Sequence, residues 1–314
     1  MQTQKFLQTM IDGTEIAVNR WIPDDEENIK GVIQLSHGMQ EHALRYDRIG
    51  CILAENGFVF SAHDHRGHGK TAMEAQKTGK GTFQKLADKD GFNKVVCDLD
   101  QIIDELRKDY EGKPLFLLGH SFGSFVSQAY IERHGEKLKG CILCGSKGPD
   151  MTAAIGGHAV ASLLCFFGQK NKQSKFMQNL AFAGYNDRFK EEKDELSWLS
   201  KSPANRMMYK ADSWCGGTAT VSFFRDLTYG LKTIHKSCNM KKIPKDLPVF
   251  IIYGEQDPVG KYGTSLVKLC NIYQQNGMKN VSIKGYPEDR HEIFNEEDGE
   301  IVLNDVINWV KSNL

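Results

Sequence analysis

The strongest chemical signal in the chain is Gly119-His120-Ser121-Phe122-Gly123. A serine with glycine two residues before and two after it fits a nucleophile held on a sharp strand-to-helix turn. The turn strains the serine backbone, and the glycines let strand and helix approach closely. It also lifts Oγ above a sheet and aims a helix N-terminus at the charge that develops during attack. An ordinary glycine-rich connection can be spelled the same way, so the setting decides. Here the apolar run Leu115 to Leu118 precedes the motif and a helical pattern from Phe122 to Arg133 follows it.

A serine hydroxyl is a weak nucleophile and needs a base that is itself held by an acid. On a scaffold of this kind the order along the chain is serine, acid, histidine, with the last two on loops after late strands. Asp257 lies in Gly254-Glu-Gln-Asp-Pro-Val259, after an apolar run that ends at Tyr253. His291 lies in Asp289-Arg-His-Glu-Ile-Phe294, after the run Val281 to Lys284, and is the only one of 10 histidines beyond the late strands. Glu255 and Asp246 are the rival acids. An oxyanion needs two backbone N–H groups, one from the residue after the nucleophile and one from the loop after the third strand. Phe122 is expected to supply the first. Met39, in Ser36-His-Gly-Met-Gln-Glu-His42, is expected to supply the second, with His37 and His42 shaping that loop.

Two other clusters admit different chemistry. His63-Asp-His-Arg-Gly-His68 superficially resembles a binuclear metal motif. However, glycine stands where an aspartate should precede the last histidine, and the segment reads as a tight turn braced by Asp64 and Arg66. Cys141 and Cys144 sit on a short apolar run, where positions three apart face opposite sides. Neither a disulfide nor shared metal ligation is expected from them. No metal and no cofactor is expected.

The elements that must position these groups follow from periodicity. Asp12-Gly13 joins two alternating runs, Phe6 to Met10 and Glu15 to Trp21, as a hairpin. Gly31 to Ser36 and Phe58 to Ala62 read as strands, with a helix from Tyr46 to Glu55 between them that stops at Asn56-Gly57. Val95, Val96, Leu99, Ile102, Ile103, Leu106 and Tyr110 recur at threes and fours, the stripe of an amphipathic helix. Strands and helices then alternate through Cys141 to Cys144, resume at Pro248 to Tyr253 and end in a helix over about 301–311. This order requires parallel crossovers, so the fold class is α/β, a doubly wound sheet. Residues 1–148 and 231–314 form its core. Residues 149–230 are rich in aromatic residues and methionine, lack clear strands, and read as a mainly helical cap inserted over the sheet.

The 314 residues suggest two domains or one with an insertion, and the insertion agrees with the second. Lys and Arg number 40 against 40 Asp and Glu, for a net charge of +0, so nucleic acid is a poor default partner. The start Met1-Gln-Thr-Gln-Lys-Phe6 has no charged segment leading into an apolar one, and the 8 cysteines follow no framework spacing. Reduced thiols and a cytoplasmic location are the expectation. Met151 to Gln169 carries no formally charged residue. It is long enough to span a bilayer, but its glycines, His158 and Ser162 favour a buried or interfacial helix. Lys170, Lys172 and Lys175 follow it and could draw it to an anionic membrane surface.

Taken together, His37-Gly38-x-x-Glu41-His42, Asp64-His-Arg-Gly-His-Gly-Lys-Thr71, Gly119-His-Ser-Phe-Gly123 and Arg290-His-Glu-Ile-Phe-Asn-Glu296 resemble the α/β-hydrolase superfamily. Within it the similarity is to the monoacylglycerol lipase and lysophospholipase group, also described as serine aminopeptidase S33-type hydrolases. Ser124 stands for a frequent glycine and Thr71 for a frequent serine. The resemblance implies Ser121, Asp257 and His291 as catalytic triad, Met39 and Phe122 as oxyanion donors, and a small lipid ester as substrate. The insertion matches least, and it is the part that selects substrate. An aminopeptidase-like or small-ester carboxylesterase activity is the alternative, and a non-catalytic binding protein is a third reading. For the aminopeptidase, Glu191, Glu192, Asp194 and Glu195 could hold an α-amine, but the interleaved Lys190 and Lys193 suggest a solvated helix face.

Overall fold

Eight strands form one sheet in a computed structural model that describes residues 1–314. In chain order the first half contains β1 (Gln2–Thr9), β2 (Glu15–Ile22), β3 (Gly31–Ser36), α1 (Asp47–Glu55), β4 (Phe58–His63), α2 (Gly69–Lys77), α3 (Gly91–Asp109), β5 (Leu115–His120), α4 (Phe122–His134) and β6 (Gly140–Cys144). Then come α5 (Met151–Leu164), α6 (Lys175–Ala181), α7 (Pro203–Ala211), α8 (Val221–Ile234) and α9 (Ser237–Met240). The chain ends with β7 (Val249–Gly254), α10 (Thr264–Gln275), β8 (Val281–Tyr286) and α11 (Gly299–Ser312).

The strand order is β1-β2-β4-β3-β5-β6-β7-β8. β2 runs antiparallel to β1 and β4, and every later pairing is parallel. The hairpin expected at Asp12-Gly13 is present, with Thr9 opposite Glu15 and Gly13 at φ +77°. Alternation along β5 shows how one strand serves two cores. Leu115 and Leu117 face α3, α4 and α10, whereas Phe116 and Leu118 face α1 and α11. Cys141 and Cys144 divide between the same two faces, and all 8 cysteines are free thiols.

Between β6 and β7 the chain forms helices and turns, with one isolated bridge between Gln173 and Thr220. α5 packs on α8, with His158 Nδ1 3.1 Å from the Arg225 carbonyl. α8 in turn rests on α3 and α4, where a side chain at Gly230 would overlap the Phe92 ring. The boundary read at residue 230 falls inside α8, which runs on to Ile234.

One reading of this segment is narrowed and one needs correction. Of the buried and interfacial alternatives, α5 is not buried: Ala154 and Ala161 alone are, while Ile155 and Leu163, and Phe166 and Phe167 just beyond its end, are exposed large apolar groups. Residues 190–195 are not a helix face either. They form one tight turn, Lys190–Glu192, with Glu192 and Asp194 engaged by Arg206 at 3.1 Å each, and Glu192 also paired with Arg290.

Candidate active site

The turn at Ser121 follows from local packing at the end of β5. Ser121 has φ 52° and ψ −120°, a left-handed backbone that a non-glycine residue adopts only when its surroundings force it. A methyl group at Gly123 would overlap the Ser36 carbonyl, and one at Gly119 would overlap the Ser127 hydroxyl. Ser121 N–H donates to the Cys144 carbonyl at 3.0 Å, tying the turn to β6. Ser124, where the resemblance has glycine, bonds the Ser121 carbonyl and lies 2.7 Å from Ser146 Oγ. Its hydroxyl therefore locks the turn to the loop after β6.

Parallel strands bring the remaining groups to the same edge. Asp257 follows β7 and His291 follows β8, and both are buried. His291 Nε2 lies 2.8 Å from Ser121 Oγ, and His291 Nδ1 lies 2.8 Å from Asp257 Oδ2. The other Asp257 oxygen accepts the Val259 N–H at 2.8 Å. Gly254 lets the two loops touch, since a side chain there would strike the Asp289 and Arg290 carbonyls. Of the rival acids, Glu255 is exposed and Asp246 pairs with Lys279 at 2.8 Å on the surface. With Nδ1–H directed at Asp257, the free lone pair on Nε2 faces the serine proton, the geometry of a general base.

Met39 and Phe122 both border the cavity beside Ser121. Met39 N–H makes no hydrogen bond within the protein, and Phe122 opens α4, where a backbone N–H has no intrahelical acceptor. Behind them lies a buried network that sequence reasoning missed. Glu41 accepts from Gly38 N–H, from Tyr46 O–H at 2.9 Å and from Arg45 at 3.0 Å, and its Oε1 is 3.1 Å from His120 Nδ1. Arg45 also grips both oxygens of Glu292, which takes a further bond from Asn205 of α7 at 2.8 Å. Burial by itself would raise the Glu41 carboxyl, but His120 and Arg45 hold it well below the usual range. Burial opposes a charge on His120, yet Glu41 raises its pKa above the ordinary value. The sequence signals were His120 inside the serine motif and Glu41 in the oxyanion loop; nothing paired them.

Four histidines around these loops, His37, His63, His65 and His68, are held neutral. Burial pushes His63 down to about 3 and His68 to about 4, and His37 and His65 well below their ordinary value. His37 Nε2 accepts the His65 N–H at 3.0 Å, and its Nδ1 lies 2.7 Å from the Gly38 carbonyl. The imidazole thus staples the loop after β3 to the loop after β4. Asp64 and Arg66 brace that second loop: Asp64 accepts the Ala43 N–H at 2.8 Å, and Arg66 clasps Asp98 and Asp12. Thr71 bonds the Asp64 carbonyl at 2.8 Å and accepts the Ala17 N–H at 2.9 Å. Metal-ligating atoms converge elsewhere, at His42, Asp212 and Cys215, within 4.8 Å of one another. His42 Nδ1 has no partner there, so the outer hydrogen bond that orients a metal-bound imidazole is missing.

A cavity of about 1120 Å³ opens onto Ser121 between the sheet edge and the inserted helices. Met39, Phe122, Val160, Phe224, Leu227 and Leu231 give it apolar walls. Trp198 also borders it, with its ring 5.1 Å from His291.

Comparison with known proteins agrees with this architecture. The Hydrolase_4 family, described as serine aminopeptidase S33, matches residues 27–298. A monoacylglycerol lipase of Mycolicibacterium smegmatis is 26% identical over 304 residues, covering 97% of this chain and 95% of its own. A monoglyceride lipase of Mus musculus is 35% identical over 132 residues, 42% of this chain and 39% of that one. Among solved structures, a thermostable carboxyl esterase from Bacillus coagulans in complex with glycerol superposes with a TM-score of 0.90 at 27% identity, covering 99% of each chain. A monoglyceride lipase variant from Saccharomyces cerevisiae shares the fold, with a TM-score of 0.76 at 20% identity over 100% of this chain and 95% of its own.

Proposed function

Since the chain belongs to the Hydrolase_4 family of serine aminopeptidase S33-type proteins and has the α/β-hydrolase fold, we propose that it is a carboxylic ester hydrolase resembling monoacylglycerol lipases, with Ser121, His291 and Asp257 as its catalytic triad. The observation that carries this reading is the continuous pair of 2.8 Å contacts from Ser121 Oγ through His291 to Asp257. His291 Nε2 takes the Ser121 proton as Oγ attacks the ester carbonyl. The N–H groups of Met39 and Phe122 hold the resulting oxyanion. His291 then protonates the leaving alcohol. A water molecule that gives its proton to His291 releases the carboxylic acid from the acyl-enzyme. Asp257 orients the imidazole and stabilises its cation.

The substrate in this reading is a small lipid ester of the monoacylglycerol or lysophospholipid type. The apolar cavity supports it by offering walls for an acyl chain, and residues 149–230 act as the cap that selects the chain. An aminopeptidase is less well supported: of the four candidate acids only Asp194 and Glu195 line the cavity, and Asp194 is already paired with Arg206 and Lys210. A cavity of about 1120 Å³ is larger than a small-ester carboxylesterase needs. The cap's outer face supports peripheral contact with membranes. Met151–Gln169 is long and apolar enough to cross one, yet lies on the surface with Phe166 and Phe167 exposed and Lys172 and Lys175 nearby.

The test is labelling by a fluorophosphonate together with turnover of a p-nitrophenyl ester. Ser121→Ala should lose both. Full labelling of that variant would overturn the assignment.

A further inference from the structure

A cation lines the cavity without a hydrogen-bonding partner. Lys147 sits in the loop after β6, and its backbone is held on several sides. Its carbonyl accepts from Gln128 Nε2 at 3.1 Å and lies 3.2 Å from His235 Nε2. The residue before it, Ser146, bonds Ser124 and Gln128, and the residue after it, Gly148, donates to Ser265 Oγ at 3.2 Å. The side chain is less well satisfied. Its closest carboxylate oxygen, on Asp150, is 3.9 Å away and is already taken by Lys261 at 2.7 Å. Two lysines therefore share one carboxylate, leaving an excess positive charge at this end of the cavity. Burial lowers the Lys147 pKa, the direction expected for an ammonium whose lost hydration is not replaced.

The position of this charge relative to the nucleophile limits what can neutralise it. Gly145 packs against the His291 ring, its Cβ position 3.2 Å from Nδ1. Lys147 is two residues further on, at most about 7 Å of extended chain. The Lys147 backbone is therefore anchored close to His291, and its side chain lines the same cavity as Ser121. A glycerol ester with phosphate at its third carbon carries an anion near its scissile bond, on the alcohol side, and can meet a cation anchored there.

We propose that Lys147 makes this cavity selective for acyl esters whose alcohol carries a phosphate group, the lysophospholipid class, over neutral monoacylglycerols. The proposal rests on the ester hydrolase reading above, so its test includes a measurement that needs no turnover. An ether-linked monoalkyl glycerophosphate, which cannot be hydrolysed, is titrated into Ser121→Ala by calorimetry, alongside the neutral monoalkylglycerol ether. The phosphate ligand should bind about tenfold or more tightly than the neutral one, as a charge-assisted contact implies. Adding Lys147→Met should erase that difference, and Lys147→Arg should retain most of it.

In the active protein, the ratio of kcat/KM for 1-acylglycerol 3-phosphate to that for 1-acylglycerol should fall about tenfold with Lys147→Met. Equal binding of the two ethers, or a preference that survives Lys147→Met, overturns the proposal. Selectivity for an acid-terminated acyl chain in a dicarboxylic half-ester, without selectivity for the phosphate, overturns the alcohol-side placement. Loss of ester turnover by the unmodified chain, with phosphate-ligand selectivity intact in Ser121→Ala, would count against the hydrolase reading and in favour of the binding site.

Discussion

His120 and Glu41 form a buried pair, Nδ1 to Oε1 at 3.1 Å, directly behind the proposed triad: the His120 ring lies 4.9 Å from the His291 ring. The same carboxylate receives the Gly38 N–H, so one side chain links the serine turn, the oxyanion loop and, through Arg45 and Glu292, the loop that carries His291. Breaking a buried ion pair by removing one partner costs roughly 3–5 kcal/mol. Glu41→Gln should therefore lower the melting temperature measurably. A shift of about 1 Å in the oxyanion loop would also reduce kcat by about 10²-fold. Unchanged kcat in a stably folded Glu41→Gln would show that the network does not position the site.

Asp257 and Glu255 provide a direct contrast, because they are two residues apart yet only Asp257 meets His291. Asp257→Asn should preserve the fold and lower kcat by about 10⁴-fold, through loss of the imidazole orientation. Glu255→Gln should leave ester turnover within about twofold. Steady-state kinetics on a p-nitrophenyl ester decides the matter, and the reverse pattern would reassign the acid.

Gly123 tests the packing of the turn. A methyl group there runs into the Ser36 carbonyl, which belongs to a rigid central strand. Gly123→Ala should lose activity and melt at a clearly lower temperature, with no recovery from substitutions of neighbouring side chains. A wild-type melting curve would contradict the clash.

Glu132 predicts a specific pH dependence. It is buried on α4 with Oε1 unpartnered, and burial pushes its carboxyl up to about 9. The folded state keeps the proton while the unfolded chain releases it near the ordinary value for glutamate, so folding binds a proton in the window between. Stability from this group is complete below about pH 4.5 and is lost as pH rises towards 9. Glu132→Gln removes the group, so its stability relative to the parent should grow between pH 5 and pH 8.5. Urea unfolding at the two pH values measures this, and a constant difference would mean that the carboxyl is already ionised in the fold.

The exposed end of the cap should govern contact with lipid. Phe166 is 83% and Phe167 67% exposed, which is unusual for adjacent aromatic side chains. Replacing both with serine should reduce flotation with anionic liposomes while p-nitrophenyl ester turnover in solution persists. Equal flotation of the two proteins would remove the membrane reading.

The parts of this protein legible in its sequence are those whose cause is local or set by chain order. A glycine-bounded serine between a strand and a helix specifies its turn without distant information. Once the sheet is parallel, each strand delivers its following loop to one edge, so Asp257 and His291 could be expected beside Ser121 before any distance was known. Sequence also marked 149–230 as different in character, because its spacing lacked the period of a strand.

It did not decide between a buried and a surface position for α5, since an apolar helix reads alike whether it faces a core or open space. Nor did it pair His120 with Glu41, 79 positions away, or Arg45 with Glu292, 247 positions away. Such pairs follow from which loops the strand order makes neighbours, and no periodicity encodes that. The same holds for Lys147, an ordinary loop lysine in the sequence. Only tertiary structure gives its single nearby carboxylate to another lysine and leaves its ammonium at the wall of the cavity, because a charge is defined by what surrounds it.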